Sequence, residues 1–384
     1  MPSLNLSETL QHLQLFSVLM GFVVSLVATW LVLMLSQVLN FGHDKSEGVQ
    51  KFHVNPTSRL GGVAIFLGFC VSVFPVSLLH PFYVSNTGKL SEFQNVSLWF
   101  LLTSMPVWLA GLVEDLTHRV GPTLRLIMAT LSAAWLFSVL GISVTRTDVW
   151  PIDLLLGIPG APLCVTLLVV AGFTHSVNIV DGFHGLACGL VIIALSALAY
   201  MAWRVDDSLV LQMSLFSIAV VLGFFVFNWP RGAIFLGDAG AYLVGFWLVE
   251  LGVLLVMRNP NVSPMAPVVA ALLPLIETLY SMYRRKVVSN HPINHPDALH
   301  LHTLVYRRLV FNPARNYSAI EKNALNARVA IYFWSPGALF AILACIFLNS
   351  TVMLLILMLS YVLMYIWLYV RLVRFNAPSL MRLR

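Results

Sequence analysis

The chain has 384 residues, 59% of them hydrophobic and only 10% charged, with a formal net charge of +6. Soluble domains carry about a quarter charged residues, so a chain this poor in charge, with a mean hydropathy of +0.86, has no polar shell for water and takes lipid as its solvent. The modest positive excess suits anionic head groups or phosphate. No basic domain, zinc-ligand spacing or aromatic platform points to nucleic acid.

A bilayer span needs about 20 predominantly apolar residues. On that ruler the sequence predicts eleven spans, near 15–39, 60–79, 96–113, 123–141, 161–177, 186–203, 208–227, 239–257, 265–283, 330–348 and 351–370. The fifth is the least sharply drawn, because Pro159 and Pro162 crowd its start. Met1 to Gln14 contain no Lys or Arg, so the first run is expected to be a retained helix rather than a cleaved signal. Eighteen Lys and Arg, from Lys45 to Arg384, fall on one set of loops and the C-terminal tail. Only Lys89, Arg146, Arg204 and Arg258 fall on the other. By the positive-inside rule the N-terminus is then outside and the C-terminus cytoplasmic. The expectation is an all-α polytopic membrane helix bundle forming one domain over 1–384. It includes a basic cytoplasmic loop at 284–328 and a C-terminal helix pair at 330–370. Cys70, Cys164, Cys188 and Cys345 are scattered in or beside apolar runs and read as small buried hydrophobes.

Four of the cytoplasmic segments carry unusual residues. They are Gly111-Leu-Val-Glu114-Asp115, then Asn178-Ile-Val-Asp181-Gly182-Phe-His184-Gly185-Leu186, then Asn228-Trp-Pro-Arg231 running on to Gly237-Asp238-Ala-Gly240, and His295-Pro-Asp297-Ala-Leu-His300-Leu-His302. Each has a plain explanation. Glu114 and Asp115 could be solvated charges ending a helix, although carboxylates there oppose the macrodipole. Asp181-Gly182 could be a tight turn, Asp238 an N-cap, and the histidines idle residues of a polar loop. Together those explanations strain, because four of only 16 acidic residues collect at the mouths of three converging loops. Hard carboxylate oxygens suit Mg²⁺ or Mn²⁺ rather than zinc. Glycines admit phosphate oxygens to backbone N–H groups, and Arg and His add positive charge. Such a set is what phosphoryl transfer needs.

These segments, in this order, resemble the polyprenyl-phosphate N-acetylhexosamine-1-phosphate transferase family, of glycosyltransferase family 4 type. The resemblance covers roughly residues 40–310. It rests on Asn178-x-x-Asp181-Gly182-x-x-Gly185-Leu186, Phe235-Leu-Gly237-Asp238-x-Gly240 and Pro56-Thr-Ser-Arg59-Leu-Gly61-Gly62. It implies transfer of a HexNAc-1-phosphate from a UDP-HexNAc donor to undecaprenyl phosphate, with release of UMP. Such a step initiates a surface glycan such as O-antigen. Carried over by position, Asp238 is the principal Mg²⁺ ligand, with Mn²⁺ as the substitute. Glu114 and Asp115 take the place of paired aspartates that handle the lipid phosphate and the metal, so Asp115 is a second candidate ligand. Asp181 and Asn178 belong to the polar cluster beside the diphosphate. His300 and His302 contact substrate phosphate, and Lys51, Arg59, Asn228 and Arg231 are further phosphate or nucleotide contacts. Glu114 is one methylene longer than the family's aspartate, and His184 stands where the family often has Asp, so His184 is not counted as a ligand.

The same resemblance implies a bacterial cytoplasmic (inner) membrane location with the site facing the cytoplasm, no nucleic-acid partner, and room for a homodimer. Direct in-line attack by the acceptor phosphate is the preferred route, with Glu114 or Asp115 removing a residual proton. An aspartyl-phosphate on Asp181 is the other. A transporter or lipid-sugar flippase is the rival class. Against it, only Glu250 and Glu277 lie well within spans, and neither has an evident cationic partner in the sequence. The CDP-alcohol phosphotransferases, which also use Asp-Gly, need an Ala-Arg and later aspartates that this chain lacks.

Overall fold

The computed structural model describes residues 6–39, 42–44, 56–71, 88–288 and 299–375. Among these residues fourteen α-helices follow one another: α1 (Leu6–Leu39), α2 (Gly61–Val71), α3 (Gly88–Thr117), α4 (Pro122–Leu140), α5 (Trp150–Leu156), α6 (Ala161–Val180), α7 (Leu186–Arg204), α8 (Ser208–Asn228), α9 (Gly237–Arg258), α10 (Met265–Ala270), α11 (Leu272–Tyr283), α12 (Leu301–Val305), α13 (Ala319–Ile346) and α14 (Thr351–Val373). Nine of the described helices are long and apolar enough to cross a membrane. The bundle is all-α apart from a two-residue antiparallel ribbon of β1 (His43–Asp44) and β2 (Thr57–Ser58).

Against the eleven runs read from sequence, the run near 60–79 is described only as the short apolar α2. The run near 265–283 is broken into α10 and α11. The segment crowded by Pro159 and Pro162 forms the 20-residue helix α6, with Pro162 inside its first turn. Proline is tolerated there because that N–H has no intrahelical partner anyway. Of the four cysteines, Cys188 is buried but Cys164 is exposed on α6, which corrects its reading as a buried hydrophobe. A helix with lipid on one side needs no polar outer face.

Helix α9 is the centre of the bundle. Nearly all of it is buried, from Gly237 to Val256, and it packs against α3, α6, α7 and α8. Small residues permit the closest of these approaches. A methyl group on Gly111 of α3 would meet the backbone of Asp238 and Ala239. By contrast, α1 and α14 expose apolar side chains such as Leu35, Val38, Val352 and Leu363, as lipid-facing helices do.

The helices alternate in direction, so the loops after α3, α6 and α8 open at one end of the bundle. At the other end Arg258 pairs with Glu92 at 2.6 Å and Asp207 at 2.9 Å, and Arg146 pairs with Asp148 at 2.7 Å. Two of the four basic residues on that side are thus held in surface ion pairs.

Candidate active site

The N-terminus of α9 organises the site. Like every α-helix it presents backbone N–H groups without intrahelical partners, and no side chain of its own caps it. The missing cap comes from α3. Asp115 accepts from the Asp238 N–H through Oδ1 and from the Ala239 N–H through Oδ2, each at 2.9 Å. Asp238 itself sits one residue inside the helix, so the N-cap reading for it is corrected: it is capped rather than capping. Gly237 occupies the left-handed region at φ +71, with the Arg59 carbonyl and the Asp115 carboxylate where a Cβ would stand. Only glycine fits that position.

Arg59 reaches the same place along a second strand of chain. The segment after β2 pairs with the approach to α9: Phe235 N–H donates to Ser58 O at 2.8 Å, Gly61 N–H to Phe235 O at 3.1 Å and Gly62 N–H to Leu236 O at 3.0 Å. Held so, the Arg59 guanidinium meets Asp115 at 3.2 Å and Asp238 at 3.1 Å. The other carboxylate oxygen of Asp238 is bonded by Arg125 from the first turn of α4, and that guanidinium lies 5.8 Å over the Tyr242 ring. Tyr242 OH in turn accepts from Asn178 Nδ2 at 3.3 Å.

Asp181 closes α6 as its C-cap residue. Burial pushes its carboxyl up to about 7, against the Arg59 guanidinium, which pulls it down. Arg59 therefore acts on three carboxylates from three segments: Asp115, Asp181 and Asp238. Glu114 is half-buried beside them and accepts from the Val120 N–H at 2.7 Å, which fixes the turn between α3 and α4.

The histidine segment arrives from the other side. A Cβ on Gly182 would lie 3.1 Å from His302 Nε2, and the His302 ring stands edge-on to Phe183 at 5.6 Å. His300 and His302 are both buried and stack at 5.1 Å. Both lean on one carboxylate, Glu277 of α11, at 3.2 Å and 3.5 Å. Glu277 also accepts from the Leu301 N–H at 2.7 Å and from Tyr365 OH of α14 at 2.8 Å. A second helix N-terminus, that of α12, is thus capped by a carboxylate from a distant helix.

Other predicted contacts fall differently. Asn228 is buried and holds two loops together, its Oδ1 accepting from the Gly185 N–H and its Nδ2 donating to Ile234 O, both at 2.8 Å. His184 is buried against Gly232 and Phe235. Arg231 is exposed on the turn. Lys51, His295 and Asp297 lie outside the described residues. Arg125, Tyr242 and Tyr365 were not singled out from sequence, and Glu277 was named only as an acid within a span. Glu277 carried a signal, since an acid inside an apolar run is a functional pointer by default. Arg125 carried none beyond being one more basic loop residue.

The residues around Asp238 fit a hard divalent cation. Mg²⁺ keeps several waters and binds through one or two carboxylates plus substrate phosphates, not through an all-protein cage. Among the described residues no three His, Cys, Asp or Glu form such a cage. Asp238 meets the lesser requirement, and a cation there would take the place of the guanidinium contacts that now engage its two oxygens. Both oxygens of Asp115 already hold α9.

The profile of glycosyl transferase family 4 matches residues 97–256, which contain all of α9 except its last two residues and the whole Asp181 segment. A probable undecaprenyl-phosphate N-acetylglucosaminyl 1-phosphate transferase of Bacillus subtilis (strain 168) is 25% identical over 80% of this chain and 81% of its own length. The phospho-N-acetylmuramoyl-pentapeptide-transferase of the same organism is 28% identical, over 64% of this chain and 76% of its own. The decaprenyl-phosphate N-acetylglucosaminephosphotransferase of Mycobacterium tuberculosis (strain CDC 1551 / Oshkosh) is 29% identical, over 65% of each chain. With the motifs at the α9 terminus inside the matched region, residues 97–256 match glycosyl transferase family 4, and the chain is a membrane transferase of the polyprenyl-phosphate sugar-1-phosphate class.

Proposed function

We propose that this enzyme transfers a HexNAc-1-phosphate from a UDP-sugar to undecaprenyl phosphate at the cytoplasmic face of the inner membrane, releasing UMP and initiating a surface glycan such as O-antigen. The observation that carries the reading is the pairing of Asp115 and Asp238 through Arg59, with Asp181 within reach of the same charge, at one end of a lipid-facing bundle. A soluble nucleotide sugar and a bilayer-bound acceptor can meet only at such a boundary.

Asp238 would hold Mg²⁺, which neutralises diphosphate charge and stabilises the leaving UMP when bound. Arg59 and Arg125 stand where phosphate oxygens would arrive, and guanidinium groups match them in shape and charge. Asp115 acts through α9, by fixing where Asp238 points. His302, set against the Asp181-Gly182 turn and oriented by Glu277, faces the same substrate. The acceptor phosphate is largely ionised at neutral pH, since a phosphate monoester loses its second proton near about pH 6. Any remaining proton goes to a carboxylate oxygen of Asp181, whose value near 7 suits that exchange. Direct in-line displacement then needs no covalent intermediate on the protein.

The test offers purified enzyme, undecaprenyl phosphate and Mg²⁺ a panel of UDP-HexNAc donors and measures UMP and lipid-linked sugar. At least one donor should give both in equal amounts, and Asp238→Asn should lower turnover by about a hundredfold or more. Folded protein that releases no UMP from any donor sinks the reading. So would substrate movement across liposomes without UMP release.

A further inference from the structure

The strongest unassigned feature is a cleft of about 590 Å³ between the π-turn that follows α12, the first turns of α13 and the residues just after α14. Arg307, Arg308, Arg315 and Arg328 line it, and among the described residues Glu321 is the one acid there. That acid is already engaged. It pairs with Arg315 at 3.1 Å and completes the capping box of α13, accepting from the Ser318 N–H at 2.9 Å. Among the described lining residues this leaves Arg308 and Arg328 with no carboxylate to balance them.

Its other wall is apolar, formed by Leu309, Val310, Leu325, Phe311 and Phe375. The Arg308 guanidinium is stacked 3.7 Å over the Phe375 ring, and its Nε is buried without a hydrogen-bond partner. A cation so placed is pre-organised and poorly solvated, and an anion arriving there meets little reorganisation. The location adds the second half of the ligand. α13 begins at Ala319 and α14 ends at Val373, both are candidate spans, and the cleft sits where both leave the apolar zone. This is the depth of lipid head groups, where basic pockets between spans bind anionic lipids.

We propose that this cleft is a binding site for the phosphate head group of an anionic membrane lipid, with the arginines on the phosphate and the apolar wall against the start of its acyl chains. It is separate from the cluster around Arg59, and its existence does not depend on the donor or acceptor of the reaction. It is nevertheless coupled to that cluster. Tyr306 packs on Phe183 at 5.4 Å and on Phe311 at 5.5 Å, and Phe311 packs on Tyr317 at 5.5 Å. On α13, Asn326 accepts from the His184 N–H at 2.8 Å two residues before Arg328. A lipid in the cleft braces the chain that carries His302 and the loop that carries Asp181.

Native mass spectrometry of the full-length protein, titrated separately with phosphatidylglycerol, phosphatidylcholine, undecaprenyl phosphate and inorganic phosphate, tests the site. The wild type should retain phosphatidylglycerol over phosphatidylcholine. Arg308→Gln with Arg328→Gln should weaken that retention about tenfold or more, as expected for the loss of two head-group arginines. Arg308→Lys with Arg328→Lys, which keeps the charge and guards against a folding defect, should retain most of it. Undecaprenyl phosphate held in place of phosphatidylglycerol, and lost in the same Gln pair, also supports the site and names its lipid. No anionic preference, a preference untouched by the Gln pair, or binding of inorganic phosphate alone would overturn it.

Discussion

A guanidinium that bridges two carboxylates holds together charges that would otherwise repel one another in a half-buried site, and Arg59 does so for Asp115 and Asp238, with its charge also felt at Asp181. Its loss would leave Asp115 and Asp238 under-neutralised, and such a loss costs more than a surface pair because the carboxylates cannot return to water. The consequence for pH follows from Asp181. A base must be ionised to accept a proton, so turnover should rise with pH through about 7, where burial has placed its carboxyl. Asp181→Asn should remove that acidic limb along with most activity. An unchanged limb in residual turnover would assign it to another group. Glu277 is the corresponding residue on the histidine side. Glu277→Gln keeps the shape and removes the charge that both rings lean on. Turnover should fall about tenfold to a hundredfold while the protein still folds, with most of the loss in kcat. A fall in thermal stability with unaltered kcat would show that Glu277 only holds α12 in place.

At the scale of elements, two helix N-termini take their caps from other helices: α9 from Asp115 and α12 from Glu277. This explains why the site was partly legible in the sequence. Asp181-Gly182 and Gly237-Asp238 stood out because acids and glycines are rare in an apolar chain and sat at span ends. Glu277 was read as having no evident cationic partner, because its meetings with His300 and with Tyr365, 88 residues away in sequence, are created only by the packing of α11, α12 and α14. Asn228, read as a substrate contact, joins two loops through its amide, a role that was hidden for a related reason. A buried amide with two backbone partners looks, in sequence, like any asparagine beside a motif. Among the described residues, helix positions were legible where the apolar run was long, and the reading differed where α10 and α11 break one run and where α2 is described over only part of another. The cap makes a prediction of its own. Asp115→Ala removes two charge-assisted hydrogen bonds from α9 and should destabilise the protein by about 2 kcal/mol or more. It should also release Asp238 from its place. Thermal unfolding in detergent measures the first effect and Mg²⁺ dependence of turnover the second. Full stability in Asp115→Ala would remove the capping role.

For the whole molecule, the direction of each helix assigns every motif to one end, with Arg59, Glu114, Asp181, Asp238 and His302 together and Arg146, Arg204 and Arg258 at the other. Charge asymmetry of this kind sets orientation through the Lys and Arg of short loops. Here it does so without being distributed evenly, because many of the basic residues at the site end also line the reactive cluster or the arginine-lined cleft. Orientation and chemistry are therefore tied: a chain inserted the other way would face its arginines away from nucleotide sugar. The expected topology can be measured on a background in which Cys70, Cys164, Cys188 and Cys345 are replaced. Arg119→Cys, exposed between α3 and α4, should react with a membrane-impermeant maleimide only in inverted vesicles. Ile158→Cys, 56% exposed beyond α5, should react only in intact cells with a permeable outer layer. The reverse pattern would put the Asp238 end outside, where no UDP-sugar is supplied, and would require a different donor for the same machinery.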